Sequence, residues 1–231
     1  AATHYGIDST IVMPREAPIA KVTATKNYGA EVVLYGDNYD EAYEKALEIQ
    51  KETGQVFVHP FNDPEVIAGQ GTIGLEIIEE LPDLEVIIVP VGGGGLISGI
   101  ATAIKSYSPE VKVVGVEAAE ASVMKKSLKT NKIKNIQKVS TIADGIAVKK
   151  PGDVTFDLCK KYVDEVVEVD EEEIANAILM LLERTKMVVE GAGATTLAAL
   201  LNNKVNFENK KVVSLLSGGN IDVNVISRII E

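Results

Sequence analysis

The sequence predicts an α/β protein with mostly parallel twisted sheets and helices on both faces. Two observations support this prediction: short apolar runs recur along the chain, and segments with helical periodicity lie between them. Strands that alternate with helices form βαβ units, whose strands pair in parallel and whose helices cover the sheet. The composition agrees, because 46% hydrophobic and 25% charged residues over 231 positions are ordinary for a globular protein.

The predicted strands are short apolar runs that carry β-branched residues on neighbouring positions, as strands buried on both faces do. They comprise residues 9–14, 30–35, 55–60, 84–91, 111–117 and 211–217, with a shorter one at 164–169.

Helices are predicted between these strands from the spacing of apolar residues and from their end signals. One covers residues 39–53 and ends at Gly54. Another covers residues 171–186, where Asp170 is the expected N-cap and Glu173 the third helical residue. This pair predicts a capping box, in which each side chain binds the backbone N–H of the other residue.

A domain boundary is expected near residue 60, in the segment HPFNDP (residues 59–64). The remainder of the chain is richer in buried-strand patterns than the part before it. The predicted domains are therefore residues 1–60 and residues 61–231.

Charge and residue usage exclude several classes of function. With 23 basic and 34 acidic residues, the formal net charge is −11, which repels nucleic acid phosphates. The single cysteine, Cys159, has no partner for an internal disulfide. One cysteine and two histidines are also too few ligands for a Cys/His zinc site. We expect a cytoplasmic protein, and no apolar stretch is long enough to span a membrane.

The N-terminal residues AATHYGIDST have neither a basic start nor an apolar core, so they are not a secretory signal. The sequence also begins without methionine and in the middle of a pattern. We expect a fragment or processed product of a longer protein.

Four consecutive glycines, Gly92, Gly93, Gly94 and Gly95, follow the predicted strand at 84–91 and precede Leu96, where a helix is expected to begin. Backbone N–H groups at such a strand-to-helix turn, together with the helix dipole, suit a phosphate dianion. The spacing is not G-x-G-x-x-G, and no Lys-Ser/Thr pair follows, so neither common nucleotide motif fits. The alternative is a closely packed turn that binds no ligand.

A second glycine-bearing strand end is SLLSGGNID (residues 214–222). Ser217 is expected at the carboxyl tip of its strand, on the same sheet edge as the glycine run. The glycine run suits a phosphate group at one strand end, and Ser217 places a hydroxyl at another. Together they predict an extended phosphorylated cofactor with a polar atom at its far end.

These segments resemble the threonine dehydratase (threonine ammonia-lyase) family, pyridoxal-phosphate enzymes of the tryptophan-synthase-β fold type. The resemblance runs along nearly the whole chain. It is carried by STIVMPREAPIAKVTATKNYGAEVVLYG, VFVHPFNDPEVIAGQGTIGLEI, VPVGGGGLISG, TIADGIAVKKPGD, VVEGAGA and LSGGNID.

The resemblance implies that Gly92 to Gly95 and Leu96 bind the phosphate of pyridoxal 5'-phosphate and that Ser217 hydrogen-bonds the pyridine nitrogen. It implies that residues 1–60 are part of a small domain and residues 61–231 the large cofactor-binding domain. The implied reaction is β-elimination from L-threonine, and from L-serine, to a 2-oxo acid and ammonia. The implied assembly is a homo-oligomer, a dimer or a tetramer.

The sequence departs from the family pattern in what it lacks. The Schiff-base lysine lies in Ser-Phe-Lys-x-Arg-Gly-Ala and the cofactor-ring asparagine in Ser-Ala-Gly-Asn-His-Ala-Gln-Gly, and neither segment is present. We therefore assign no catalytic residue and expect this chain alone to be inactive. A serine racemase or serine dehydratase, or a non-catalytic module of the same fold, remain alternatives.

A metal site is not expected. In the related serine racemases a divalent cation is bound at positions that correspond here to Glu117, Ala121 and Val123, and valine cannot be a ligand. Two other reactive residue types have structural explanations. His59, next to a proline, is expected to be structural, and Cys159 is expected to be a buried, inert thiol.

Overall fold

The computed structural model describes residues 1–17, 19–37 and 39–230. The chain divides into two compact units, Ala1–Val58 and His59–Glu231. The predicted boundary falls after residue 60, so the predicted and observed divisions differ only in where residues 59 and 60 belong. Compactness by itself assigns no role to either unit.

The first unit contains a two-stranded parallel sheet and two helices. In chain order its elements are β1 (Thr10–Met13), α1 (Ile19–Asn27), β2 (Glu31–Leu34) and α2 (Tyr39–Thr53). The strands pair in register from Thr10 opposite Glu31 to Met13 opposite Leu34. The helix expected at 39–53 is confirmed with these bounds.

The strand predicted at residues 55–60 is wrong. This segment has no regular structure, and the side chains of Val56 and Val58 are 88% and 67% exposed. An apolar alternation forms a strand only beside another strand that takes up its hydrogen bonds. Within the described part of the chain, β1 and β2 pair only with each other.

The second unit contains a four-stranded parallel sheet in the order β5-β4-β3-β6. Its strands are β3 (Val86–Pro90), β4 (Lys112–Ala118), β5 (Glu165–Val169) and β6 (Val212–Ser214). Its helices are α3 (Pro64–Glu80), α4 (Gly95–Tyr107), α5 (Met124–Thr130), α6 (Asp153–Tyr162), α7 (Glu171–Met180), α8 (Gly191–Leu201) and α9 (Val223–Ile230). No described helix combines the length and apolar character that crossing a bilayer requires.

Helices cover both faces of this sheet, as β3 shows. Ile87 and Val89 lie in one buried cluster with residues of α4. Val86 and Ile88 face the other way, into a cluster with residues of α8. Since successive strand side chains point to opposite faces, the alternation places one helical layer on each side. The predicted α/β class is confirmed.

Two helix starts follow their sequence signals. Asp63 caps α3 by accepting the N–H groups of Glu65 and Val66 at 2.8 and 3.3 Å. At α7, Asp170 and Glu173 form the predicted capping box, with both hydrogen bonds at 2.9 Å. The helix expected at 171–186 is α-helical to Met180 and continues as a single π-helical stretch to Thr185.

Candidate functional site

The glycine run forms the turn between β3, which ends at Pro90, and α4, which begins at Gly95. Gly94 is the N-cap of α4 and has φ +94° and ψ −2°. This left-handed conformation strains residues that carry a Cβ, so the backbone requires glycine at position 94. The turn lies at the carboxyl end of a central strand, where open α/β sheets bind ligands.

Close packing also restricts the run to glycine. A Cβ on Gly93 would lie 2.5 Å from carbons of the Phe61 ring, and one on Gly95 would lie 2.8 Å from the Phe61 Cβ. A Cβ on Gly92 would lie 2.8 Å from the Cα of Ile146. Packing alone therefore accounts for the absence of side chains, and a ligand role depends on the backbone N–H groups.

The N–H groups of the run are available to a ligand. The N–H of Val91 still belongs to the sheet and donates to the Val116 carbonyl at 2.8 Å. The first helical hydrogen bond of α4 runs from the Ser98 N–H to the Gly94 carbonyl at 3.0 Å. Residues 92–97 lie between these two hydrogen bonds, and among the described residues no acceptor is found for their N–H groups. Unpaired N–H groups at a helix N-terminus fit a phosphate group.

Ser217 lies at the same edge of the sheet. β6 is shorter than predicted: it ends at Ser214, which pairs with Ile88 of β3, and Leu215 adds one hydrogen bond to the Ile88 carbonyl at 3.1 Å. Ser217 is exposed and follows the strand rather than ending it. Because β3 and β6 are parallel neighbours, the glycine run and the Ser217 loop leave the sheet side by side.

Two further loops meet these at the edge of the sheet. The N–H of Glu190, at the start of α8, donates to the Gly218 carbonyl at 3.0 Å. A Cβ on Gly145 would lie 3.1 Å from the Cβ of Ala192. The two loops, residues 144–146 and 190–192, thus pack together. The first contacts Gly92 through Ile146, and the second contacts Gly218 through Glu190. Neither the sequence nor the structure assigns these two loops a chemical role.

Glu117 is fully buried at the end of β4 and serves as the cap of α5. Its carboxylate accepts the N–H groups of Val123, Met124 and Lys125 at 3.0, 2.7 and 2.9 Å, and the Ser122 hydroxyl at 3.1 Å. Burial raises its pKa to about 7, although the four hydrogen bonds favour the charged form.

The position that corresponds to a racemase metal site is thus packed around a helix cap. Ala121 and Val123 are buried, and the N–H of Val123 is one of the donors to Glu117. Among the described residues, no three His, Cys, Asp or Glu side chains cluster as metal ligands. The absence of a metal stays a prediction.

His59 and Cys159 have structural surroundings, as predicted. Nδ1 of His59 accepts the N–H groups of Phe61 and Asn62 at 3.2 and 2.9 Å, and burial lowers the pKa of the ring. Cys159 is 1% exposed and lies 3.5 Å from the Ser98 hydroxyl oxygen. Burial raises the pKa of its thiol to about 12, so the nucleophilic thiolate is disfavoured.

Three residues around the glycine run are not predicted from the sequence: Phe61 and Thr155 contact the run, and Asn62 binds the start of α6. Asn62 and Asp153 are 91 positions apart yet form a side-chain hydrogen bond of 2.6 Å. The sequence signal for Phe61 and Asn62 is the segment HPFNDP, which supports the family resemblance but does not indicate a role for either residue. Thr155 lies in the first turn of α6, and nothing in the sequence distinguishes it from a threonine without such a contact.

Solved structures place the fold among the fold type II pyridoxal-phosphate enzymes. The processed form of threonine deaminase isoform 2 from Solanum lycopersicum superposes with a TM-score of 0.92 at 37% identity, over 99% of this chain and 63% of that one. Maize serine racemase also gives 0.92, at 35% identity, over 99% of this chain and 71% of the racemase.

The chain belongs to the pyridoxal-phosphate dependent enzyme family, whose model matches residues 1–218. It is 63% identical, over all 231 residues, to the L-threonine ammonia-lyase of Thermotoga maritima. The chain spans 57% of the length of that relative. The family resemblance predicted from sequence is confirmed.

Proposed function

We propose that the whole protein is a pyridoxal-phosphate dependent ammonia-lyase that converts L-threonine, and also L-serine, to 2-oxobutanoate or pyruvate and ammonia. The observation that carries the proposal is the row of unpaired N–H groups at residues 92–97 beside the Ser217 loop. The high identity to the Thermotoga maritima L-threonine ammonia-lyase supports the substrate and the reaction.

In this proposal the N–H groups of Gly92 to Gly95 and Leu96 bind the cofactor phosphate. The positive end of the α4 dipole adds to the attraction of the dianion. Since the run has no side chains, its backbone can approach the phosphate oxygens closely. The buried positions of Gly93 to Gly95 exclude water from the inner part of this turn and so strengthen the hydrogen bonds.

Ser217 is proposed to hydrogen-bond the pyridine nitrogen of the cofactor. A neutral hydroxyl, unlike a carboxylate, does not hold that nitrogen protonated. When bound, the cofactor supplies an electron sink for loss of the α-proton and the β-hydroxyl. A moderate sink suits elimination, so the residue type at position 217 is consistent with an ammonia-lyase.

We further propose that this chain alone is inactive, because none of its lysines lies in the Schiff-base context of the family. The first unit is then part of the small domain, and the second is the large cofactor-binding domain. The intact protein is proposed to be a cytoplasmic homo-oligomer, either a dimer or a tetramer.

Serine racemase is the second candidate, since the maize enzyme has the same fold over 99% of this chain. Val123 at the position of a metal ligand argues against it. Incubating the full-length parent with L-threonine and with L-serine separates the two: 2-oxobutanoate supports the lyase, whereas D-serine without 2-oxobutanoate contradicts it.

Reduction with borohydride after addition of pyridoxal phosphate tests the assignment of the lysine. The expected mass spectrum shows a stoichiometric adduct on one lysine of the full-length parent and only scattered, substoichiometric adducts on this chain. A stoichiometric adduct on a single lysine of this chain would contradict the proposal. Exposed surface lysines of the same chain are the internal control for non-specific reduction.

A further inference from the structure

Thr155 connects the first turn of α6 to the glycine run. Its hydroxyl, which is fully buried, donates to the carbonyl oxygen of Gly93 at 2.6 Å. The N–H of Gly152 approaches the same oxygen at 3.4 Å. The Gly93 carbonyl is therefore fixed by two donors from the start of one helix.

Fixing this carbonyl also fixes the direction of an N–H group. The carbonyl of Gly93 and the N–H of Gly94 belong to one peptide unit, and in a trans peptide they point in opposite directions. No described peptide bond is cis. With glycine on both sides, this peptide plane rotates more easily than others, so the conformation needs an external anchor. Thr155 supplies that anchor and turns the Gly94 N–H away from α6.

The turn at residues 59–62 contacts both the run and the start of α6. The Phe61 ring occupies the space that a Cβ on Gly93 would need. Asn62 binds the start of α6: its Oδ1 accepts the Val154 N–H at 3.1 Å, and its Nδ2 donates to Asp153 Oδ1 at 2.6 Å. The residues that flank the run are thus tied to each other as well as to it.

We propose that Thr155 is a positioning residue for the cofactor phosphate: its hydroxyl anchors the Gly93 carbonyl and so aims the Gly94 N–H at the phosphate. Asn62 keeps the first turn of α6 in the place where Thr155 can do this. The inference rests on the proposed function, because it takes the glycine run as the phosphate site.

The test compares Thr155→Val, which removes the hydroxyl, with Thr155→Ser, which keeps it. Thr102→Val is the matched control, since the Thr102 hydroxyl is buried in α4 and has no hydrogen-bond partner among the described residues. The ligands are pyridoxine 5'-phosphate and pyridoxine, which have no aldehyde and do not react with surface lysines. Affinities come from amide shifts in ¹⁵N NMR titrations of this chain.

Thr155→Val is expected to weaken pyridoxine 5'-phosphate binding about tenfold, the equivalent of one hydrogen bond. Thr155→Ser and Thr102→Val should stay within about twofold of the wild type. In the ligand-free protein, Thr155→Val should also shift the Gly94 amide resonance. If Thr155 had a purely structural role, Thr155→Val would lower the thermal unfolding temperature. It would not weaken the binding of pyridoxine 5'-phosphate more than that of pyridoxine.

Two failures are distinguishable. If the wild-type chain binds pyridoxine 5'-phosphate no better than pyridoxine, the phosphate site of the proposed function is overturned and the inference falls with it. If the wild type discriminates but Thr155→Val binds as tightly and leaves the Gly94 amide unchanged, the inference alone is overturned.

Asn62→Ala covers the case in which Thr155→Val does not fold, because Asn62 is only half-buried and its removal opens no core cavity. It should weaken pyridoxine 5'-phosphate binding about threefold and shift the same Gly94 amide. Wild-type affinity together with an unchanged Gly94 amide in this variant would overturn the inference.

Discussion

The ring of Phe61 lies where a side chain on Gly93 would have to be: a Cβ there would come within 2.5 Å of three ring carbons. The two explanations of the glycine run, packing and anion binding, therefore use different groups of the same residues. The α-carbons pack against Phe61, Ile146 and Thr155, whereas the N–H groups have no protein acceptor among the described residues.

Gly93→Ala should destabilise the fold by about 1–3 kcal/mol, because the added methyl group overlaps the Phe61 ring. Adding Phe61→Ala should recover part of this loss, with a coupling energy of at least about 1 kcal/mol in a double-mutant cycle. Urea unfolding of the four proteins measures it. Gly69→Ala is the control, since its Cβ meets nothing within 4 Å. Additive effects would show that the contact does not restrict position 93.

Ser217→Ala should weaken pyridoxine 5'-phosphate binding about three- to tenfold and leave the urea midpoint unchanged, because Ser217 is exposed and beyond the end of β6. Calorimetric titration and urea unfolding give the two values. Ser214→Ala, in the strand itself, is the control for changes near β6. A loss of stability without a loss of affinity would assign Ser217 a structural role instead.

Glu117→Gln should remove a pH dependence of stability. Burial raises the carboxyl pKa from 4.5 to about 7 in the folded protein. The contribution of this group to the free energy of unfolding is therefore complete below pH 4.5 and is lost as the pH rises through 7. The full change is about 3 kcal/mol. Urea unfolding between pH 4.5 and 8 should show this slope in the wild type and in the exposed control Glu120→Gln. An unchanged slope in Glu117→Gln would contradict the assignment.

Asp170→Ala should lower the free energy of unfolding by about 1 kcal/mol, because the Glu173 N–H loses its acceptor and the capping box is broken. Glu172→Ala, an exposed acidic residue of the same first turn, should cost less than about 0.5 kcal/mol. Thermal or urea unfolding compares the two. Equal losses would mean that charge in the first turn, and not the capping box, supports the start of α7.

What could be predicted from sequence depends on how local the interactions are. Asp170 and Glu173 are only three positions apart, and the capping box that they form is predicted correctly. The family resemblance and the glycine turn also rest on contiguous segments. The strand at 55–60 was wrong because pairing is not local: Val56 and Val58 carry the pattern but lack a neighbouring strand in the described chain. The bonds of Asn62 to residues 153–155 leave no pattern in the sequence.

The most direct test of the central claim, that the N–H groups of residues 92–96 bind the cofactor phosphate, is an ¹⁵N NMR titration of this chain with pyridoxine 5'-phosphate and, separately, with pyridoxine. We expect large amide shifts confined to Gly92 through Leu96 and the Ser217 loop with the phosphorylated ligand, and much weaker binding of pyridoxine, which lacks the phosphate. Shifts elsewhere, or equal binding of both ligands, would contradict it.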